Sequence, residues 1–322
     1  SHPGKGMDGI DQVLADLQSF DQQTGQPYMA DGIFGDWAVA NLLNDGQLAD
    51  GRYAYRRYAP PDPAVADTLY NCPQEWQPRT VKQYGVDYIE INCRDSYTLE
   101  FAGAEETQLL PVDAYSGDYA FWSNRSDESN MNLTRTFDFT QVSSPLTFRY
   151  RAWFDIEEDY DYVYLAASED GQNWKMLQTP RGRSQQDDPT GNAYGWGYTG
   201  QSGTWVEESV DLSAYAGKRM QLRFEYVTDA AVSKEGFLLD DASIPEIGYS
   251  EDFEQDEGGW QGNGFVRVQN RLPQSFMISL VENGREVAVR RLQLDANQTA
   301  RISLDFGSGM RSAVLVVSRL VE

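Results

Sequence analysis

Met220-Gln-Leu-Arg-Phe-Glu-Tyr-Val227 alternates apolar and polar side chains along its length, the period of two that buries one face of an extended chain and wets the other. Leu146-Thr-Phe-Arg-Tyr-Arg-Ala-Trp153 and Asp161-Tyr-Val-Tyr-Leu-Ala166 follow the same pattern. Asp170-Gly171 interrupts it as a hairpin turn ahead of Trp174. Strands and turns at this density over about 113–248 predict a β-sandwich.

Toward the C-terminus, Phe265–Val268, Phe276–Glu282, Glu286–Leu294, Ala300–Leu304 and Ala313–Ser318 read as further strands, with Asn283-Gly284 as a hairpin turn. On the N-terminal side, Val86, Tyr88, Ile89 and Ile91 form one strand and Tyr97, Leu99 and Phe101 another, joined through Arg94-Asp95-Ser96. Earlier still the period becomes helical. Ile10, Val13, Leu14 and Leu17 share a face over 7–18, with Asp8 as N-cap, and Phe34, Trp37, Ala38 and Leu42 do so over 33–43. Asn44-Asp45-Gly46 ends the second helix by favouring left-handed backbone. Two short helices make a small core, so they are expected to pack on something else, such as the end of a preceding domain. The prolines of Ala59-Pro-Pro-Asp-Pro-Ala-Val-Ala66 fix φ and remove donors, which predicts a linker.

The expected fold class is therefore mostly β: two β-sandwich or jelly-roll domains, one inserted in the other, preceded by a short α-helical segment. The bounds are 1–58 for the helical segment, 59–74 for the linker, 75–112 plus 249–322 for a split sandwich, and 113–248 for the inserted jelly roll. Two strands at 84–101 are too few for a stable sheet, and the terminal strands can complete it. Three consecutive domains are the alternative.

Fifty acidic against 26 basic residues give a formal charge of −24. Such a surface repels phosphates, so nucleic acid and anionic membrane are poor partners, and no nucleic-acid partner is expected. Val314-Leu-Val-Val317 is only strand-length, and no longer apolar run offers membrane insertion. Ser1-His-Pro-Gly4 does not read as a signal peptide, so any export signal is expected upstream.

Carboxylates in excess suit calcium, a hard cation taking about 6–8 oxygens. Glu157-Glu-Asp-Tyr-Asp161 is the densest cluster, and in extended backbone Asp159 and Asp161 share a face. The expected site centres on Glu158, Asp159 and Asp161, with Asp127, Glu128, Asp240 and Asp241 from neighbouring segments. A solvated acidic loop is the competing reading, and Arg125 and Arg151 are competing partners. Tyr194, Trp196 and Tyr198, with Trp205 nearby, offer flat rings on glycine-rich backbone that would suit stacking on a sugar. A loop folded over the sandwich edge would explain the same residues. Cys72 and Cys93 are expected to close a disulfide in an oxidising compartment; two buried thiols are the alternative.

Catalytic signals are weak. Ser202 in Gly200-Gln-Ser-Gly203 lacks nucleophile-elbow spacing and a histidine base. Gly4-Lys5-Gly6 follows no strand and is no phosphate loop. Ser168-Glu-Asp-Gly-Gln-Asn-Trp174 occurs once, where a propeller would repeat it.

Ser116-Gly-Asp-Tyr-Ala-Phe-Trp-Ser-Asn-Arg-Ser-Asp-Glu-Ser-Asn130, Leu133-Thr-Arg-Thr-Phe-Asp138, Asp155-Ile-Glu-Glu-Asp-Tyr-Asp-Tyr162, Trp205-Val-Glu-Glu-Ser-Val-Asp-Leu-Ser-Ala-Tyr-Ala-Gly217 and Gly236-Phe-Leu-Leu-Asp-Asp-Ala-Ser-Ile244 occur in order. Together they resemble the jelly-roll module downstream of the catalytic domain in immune inhibitor A-type secreted zinc metallopeptidases. Residues 7–45, especially Asp36-Trp-Ala-Val-Ala-Asn41, resemble the last helices of a gluzincin-type peptidase domain. The resemblance implies an extracellular, non-catalytic accessory region that stabilises or targets the protease. Its partner would be its own upstream catalytic domain, with an extracellular protein or glycan as a further one. The family's His-Glu-x-x-His zinc motif is absent from a sequence whose single histidine is His2. No catalytic residue is carried over, and no zinc is expected in this chain. A stand-alone extracellular carbohydrate-binding or adhesive β-sandwich module is the alternative.

Overall fold

Strand Arg219–Val227 alternates buried and half-buried residues, Met220, Leu222, Phe224 and Tyr226 pointing inward. It pairs antiparallel with Asn130–Asp138 on one side and Tyr162–Ser168 on the other. These strands come from a computed structural model that describes residues 6–21 and 24–321; His2 lies outside them. The chain divides into one unit of residues 1–107 and 272–322 and another of 108–271.

The 108–271 unit is a two-sheet sandwich. One sheet runs Gln261–Asn263, Asn130–Asp138, Arg219–Val227, Tyr162–Ser168, Lys175–Met176. The other runs Val206–Asp211, Thr147–Asp155, Gly236–Ile244, Tyr119–Trp122, Val266–Gln269, with Tyr249–Glu251 alongside Gly236–Ile244. Their inner faces share one aromatic core, in which Tyr150, Phe148, Phe224 and Phe237 are almost wholly buried. Asp170 shapes the predicted turn: its carboxylate accepts from Ser168 Oγ and from the amides of Gln172 and Asn173, while Gly171 takes φ +73°.

Residues 249–271 belong to this unit, not to the split sandwich assigned to them from sequence. Val266–Gln269 pairs with Tyr119–Trp122, and Phe253, Trp260 and Phe265 enter the aromatic core. Burying three large rings outweighs a weak local strand pattern.

In the other unit a broader sheet runs Asp67–Leu69, Val86–Ile91, Ser312–Val321, Arg271–Asn283, Val287–Leu292. Asp67–Leu69, within the stretch read as a linker, is a parallel edge strand beside Val86–Ile91. One sheet face carries Ile89, Ile91, Leu315 and Val317 toward the pair Ser96–Ala102 and Thr299–Asp305. The Cys72–Cys93 disulfide closes beside this core, with Cα atoms 5.9 Å apart.

The opposite face is covered by the helix Ala30–Leu43. Ala38 and Val39 pack on Tyr88, Val314 and Val316, so the helix covers this chain's own sheet rather than only an external partner. Its end follows the sequence: Asn44 adopts left-handed backbone, and its N–H donates to Ala40 O. The Tyr88 hydroxyl donates to Ala38 O at 2.7 Å, and burial pushes its pKa up to about 12. Tyr88→Phe removes this bond while leaving the carbonyl its helical partner, so it should lower the unit's stability by about 1 kcal/mol in urea unfolding. An unchanged midpoint would mean the bond contributes nothing.

Candidate metal site

Strand Tyr162–Ser168 is buried along its whole length, so the turn before it must deliver its polar groups to partners. Asp159 takes φ +67°, its N–H bonds Thr199 Oγ1 at 2.8 Å, and that hydroxyl donates to Glu157 O at 3.1 Å. The chain then enters the strand with Asp161 facing inward, only 1% exposed. Asp161 Oδ1 accepts the Asp229 N–H at 2.8 Å, and Oδ2 accepts the Tyr226 hydroxyl at 3.3 Å.

Glu157, Asp161 and Asp229 each place a carboxylate oxygen within 4.8 Å of the others. Burial pushes the Asp161 carboxyl up to about 6, against the Asp229 amide that lowers it. Burial also raises Glu157, helped by the nearby charges of Asp229 and Asp127 and opposed by Lys234. Three such groups repel one another when ionised, so the arrangement favours a proton or a cation among them. The Glu157 carbonyl beside the Asp161 amide shows that backbone oxygen is also close by.

The sequence-predicted ligands divide. Asp161 is in the group. Glu158 and Asp159 instead pair with Arg183, at 2.6 and 3.2 Å. Asp127 borders the group and accepts from Ser233 Oγ, while Glu128 is exposed, with its N–H bonded to Asp229 O at 2.5 Å. Asp240 and Asp241 serve another purpose. Asp240 is fully buried and accepts the Tyr115 and Ser116 amides at 2.8 and 3.2 Å; burial pushes its pKa up to about 7. Asp241 accepts Ser116 Oγ at 2.7 Å. This pair fastens a turn over a strand irregularity between Asp240 and Ser243. The expected arginine competitors are occupied elsewhere, Arg125 with Glu235 and Arg151 with Glu207. Arg183 is the one that matters.

Asp229 was missed from sequence. Its position follows from register: Val227 pairs with Tyr162, so the residues just past Val227 face those just before Tyr162. Strand pairing would have found it; local composition could not.

The four aromatics do not form one stacking face. Tyr198 is fully buried, its hydroxyl 2.6 Å from that of Tyr150. Trp196 Nε1 donates to Thr179 O, and Trp205 Nε1 to Asp113 O, each at 3.0 Å. Of the four, Tyr194 alone is well exposed, at 66%.

The fold and the acidic turn define a β-sandwich module with a carboxylate cluster at one strand entry. The family model described as "Immune inhibitor A-like, MAM domain" matches residues 104–270, just over half of the chain, and the chain belongs to that family. It is 34% identical over 128 residues to the pre-pro-metalloprotease PrtV of Vibrio cholerae serotype O1, covering 40% of this chain and 13% of that protein. It is 33% identical over 143 residues to immune inhibitor A of Bacillus thuringiensis subsp. alesti, covering 43% and 19%. To bacillopeptidase F of Bacillus subtilis it is 24% identical over 205 residues, covering 54% and 13%. The matches thus span less than a fifth of each relative's length. This chain is similar to a non-catalytic part of peptidases, and among its described residues no helix is long and apolar enough to cross a membrane.

Proposed function

We propose that this chain is a non-catalytic accessory region of a secreted immune inhibitor A-like metallopeptidase, steadied by calcium and docked on its catalytic domain. The family match over 104–270, shared with proteins named as proteases, carries the reading. A sequence without a His-Glu-x-x-His motif assigns the chemistry to another part of the polypeptide. Calcium would be held by Glu157, Asp161 and Asp229 with Asp127 beside them, an oxygen-only donor set suited to a hard cation. Zinc prefers nitrogen and sulfur ligands, which the group lacks.

Docking would use the helix Gly6–Asp16, whose Ile10 and Val13 are 47% and 38% exposed, together with Leu17 in the turn just after it, 69% exposed. An apolar stripe left uncovered by the described residues fits a protein surface. The paired substitution Ile10→Asp and Leu17→Asp should leave this chain's melting temperature unchanged and abolish its binding to the separately purified catalytic domain. Binding that survives both substitutions would rule out that face.

A further inference from the structure

The pair Ser96–Ala102 and Thr299–Asp305 is two strands wide and faces a broader sheet. It therefore leaves a cavity of about 860 Å³ between them, within the range of ligand-binding pockets. Ile89, Leu315 and Phe276 form its floor, and Tyr97, Leu99 and Phe101 reach in from the narrow pair. Trp76, 59% exposed, lines the same cavity from the segment that follows the disulfide.

Two features go unused by the fold. Among the described residues Ser96–Ala102 pairs only with Thr299–Asp305, so every second N–H and C=O along its outer edge has no partner strand there. Thr98, Glu100 and Ala102 bring that edge to the cavity wall. At one end lies Arg319, which continues the inward row Ala313, Leu315, Val317 of its strand. Its guanidinium donates to Thr107 Oγ1 at 3.0 Å and to Val81 O at 3.4 Å, while buried Nε has no acceptor. Among the described residues Arg319 makes no ion pair, although Asp87 lines the same cavity.

We propose that this unit captures an extended peptide. The peptide adds as a strand to the free edge of Ser96–Ala102, sends alternate apolar side chains into the cavity, and sets a carboxylate against Arg319. Strand addition supplies main-chain bonds while pockets for alternate side chains supply selectivity; a carboxylate on a half-buried guanidinium makes charge-assisted bonds. A fatty acid would satisfy the apolar walls and Arg319 but leave the strand edge bare, which is why the peptide is favoured.

Fluorescence anisotropy of a fluorescein-labelled heptapeptide of alternating valine and threonine, with a free α-carboxylate, tests this on the whole chain. Saturable binding is expected, weakened by about tenfold or more in Arg319→Gln. Amidating the peptide's C-terminus should weaken it equally, and N-methylating alternate backbone amides should abolish it. Those two peptides decide the matter on the unaltered chain should Arg319→Gln fold poorly. No saturable binding, indifference to either peptide change, or binding of dodecanoate in place of the peptide overturns the proposal.

Discussion

Glu208→Leu should make the 108–271 unit more stable at neutral pH, by about 1–3 kcal/mol. Strand Val206–Asp211 alternates strictly, with Val206, Glu208 and Val210 inward. Glu208 thus occupies a position the pattern reserves for an apolar side chain, and it is 0% exposed. Among the described residues neither carboxylate oxygen makes a hydrogen bond of good geometry, the Tyr198 hydroxyl and the Arg181 backbone N–H being the nearest donors. Tyr150, opposite it in register, spends its hydroxyl on Tyr198 instead. Burial raises the Glu208 pKa above its ordinary value of 4.5, while Tyr198 and Arg181 lie close enough to oppose the shift in part. The folded state then keeps a proton that the unfolded chain has released. The contribution of Glu208 to stability is therefore greatest below its unfolded pKa and falls as pH rises toward the folded one. The gain from leucine should shrink toward about pH 3, where both states are mainly protonated. Urea unfolding of the full chain at both pH values measures it, and a loss of stability at neutral pH would show that Glu208 has a partner after all. Its strand is a sheet edge, where an inward-pointing ionisable side chain discourages pairing with another chain. The leucine variant should accordingly self-associate more readily.

Removing the Cys72–Cys93 bridge should have a comparable effect of opposite sign, confined to the other unit. The bridge closes a loop with a sequence separation of 21, for which chain entropy gives about 3 kcal/mol. Both cysteines pack against the core around Ile89 and Leu315, so serine at either position also puts a hydroxyl into apolar surroundings. Calorimetry of Cys72→Ser/Cys93→Ser should show one transition moved down and that of the 108–271 unit unmoved. Coincident shifts of both would mean that the two units unfold as one.

The fold was legible where side-chain period and burial coincide. Met220, Leu222, Phe224 and Tyr226 announced a half-buried strand, and Asn44 announced a helix end. Gln261–Asn263, exposed throughout, carries no such period. It is a strand only because Asn130–Asp138 lies beside it, and pairing across so many residues leaves no local mark. The aromatic anchors Phe253, Trp260 and Phe265 were the available signal for that segment. At the site, the acidic run gave Asp161 but could not say which way each carboxylate turns. Arg183, more than twenty residues on, draws Glu158 and Asp159 away, and Asp229 arrives from the far end of a neighbouring strand.

Calcium titration of the full chain, followed by melting temperature and calorimetric binding, tests the central claim most directly. Ionised Glu157, Asp161 and Asp229 repel one another unless a cation lies between them, so calcium should favour the native state by mass action. At about a hundredfold excess over Kd the gain is about 2.7 kcal/mol, or roughly 5–10 °C for a unit of this size. Asp161→Asn keeps an oxygen for the Asp229 amide and removes one charge. It should melt higher than the unaltered chain in chelator and gain nothing from calcium. A melting temperature that is the same in calcium and in chelator, with no heat of binding, would contradict the account and leave the cluster to hold a proton instead.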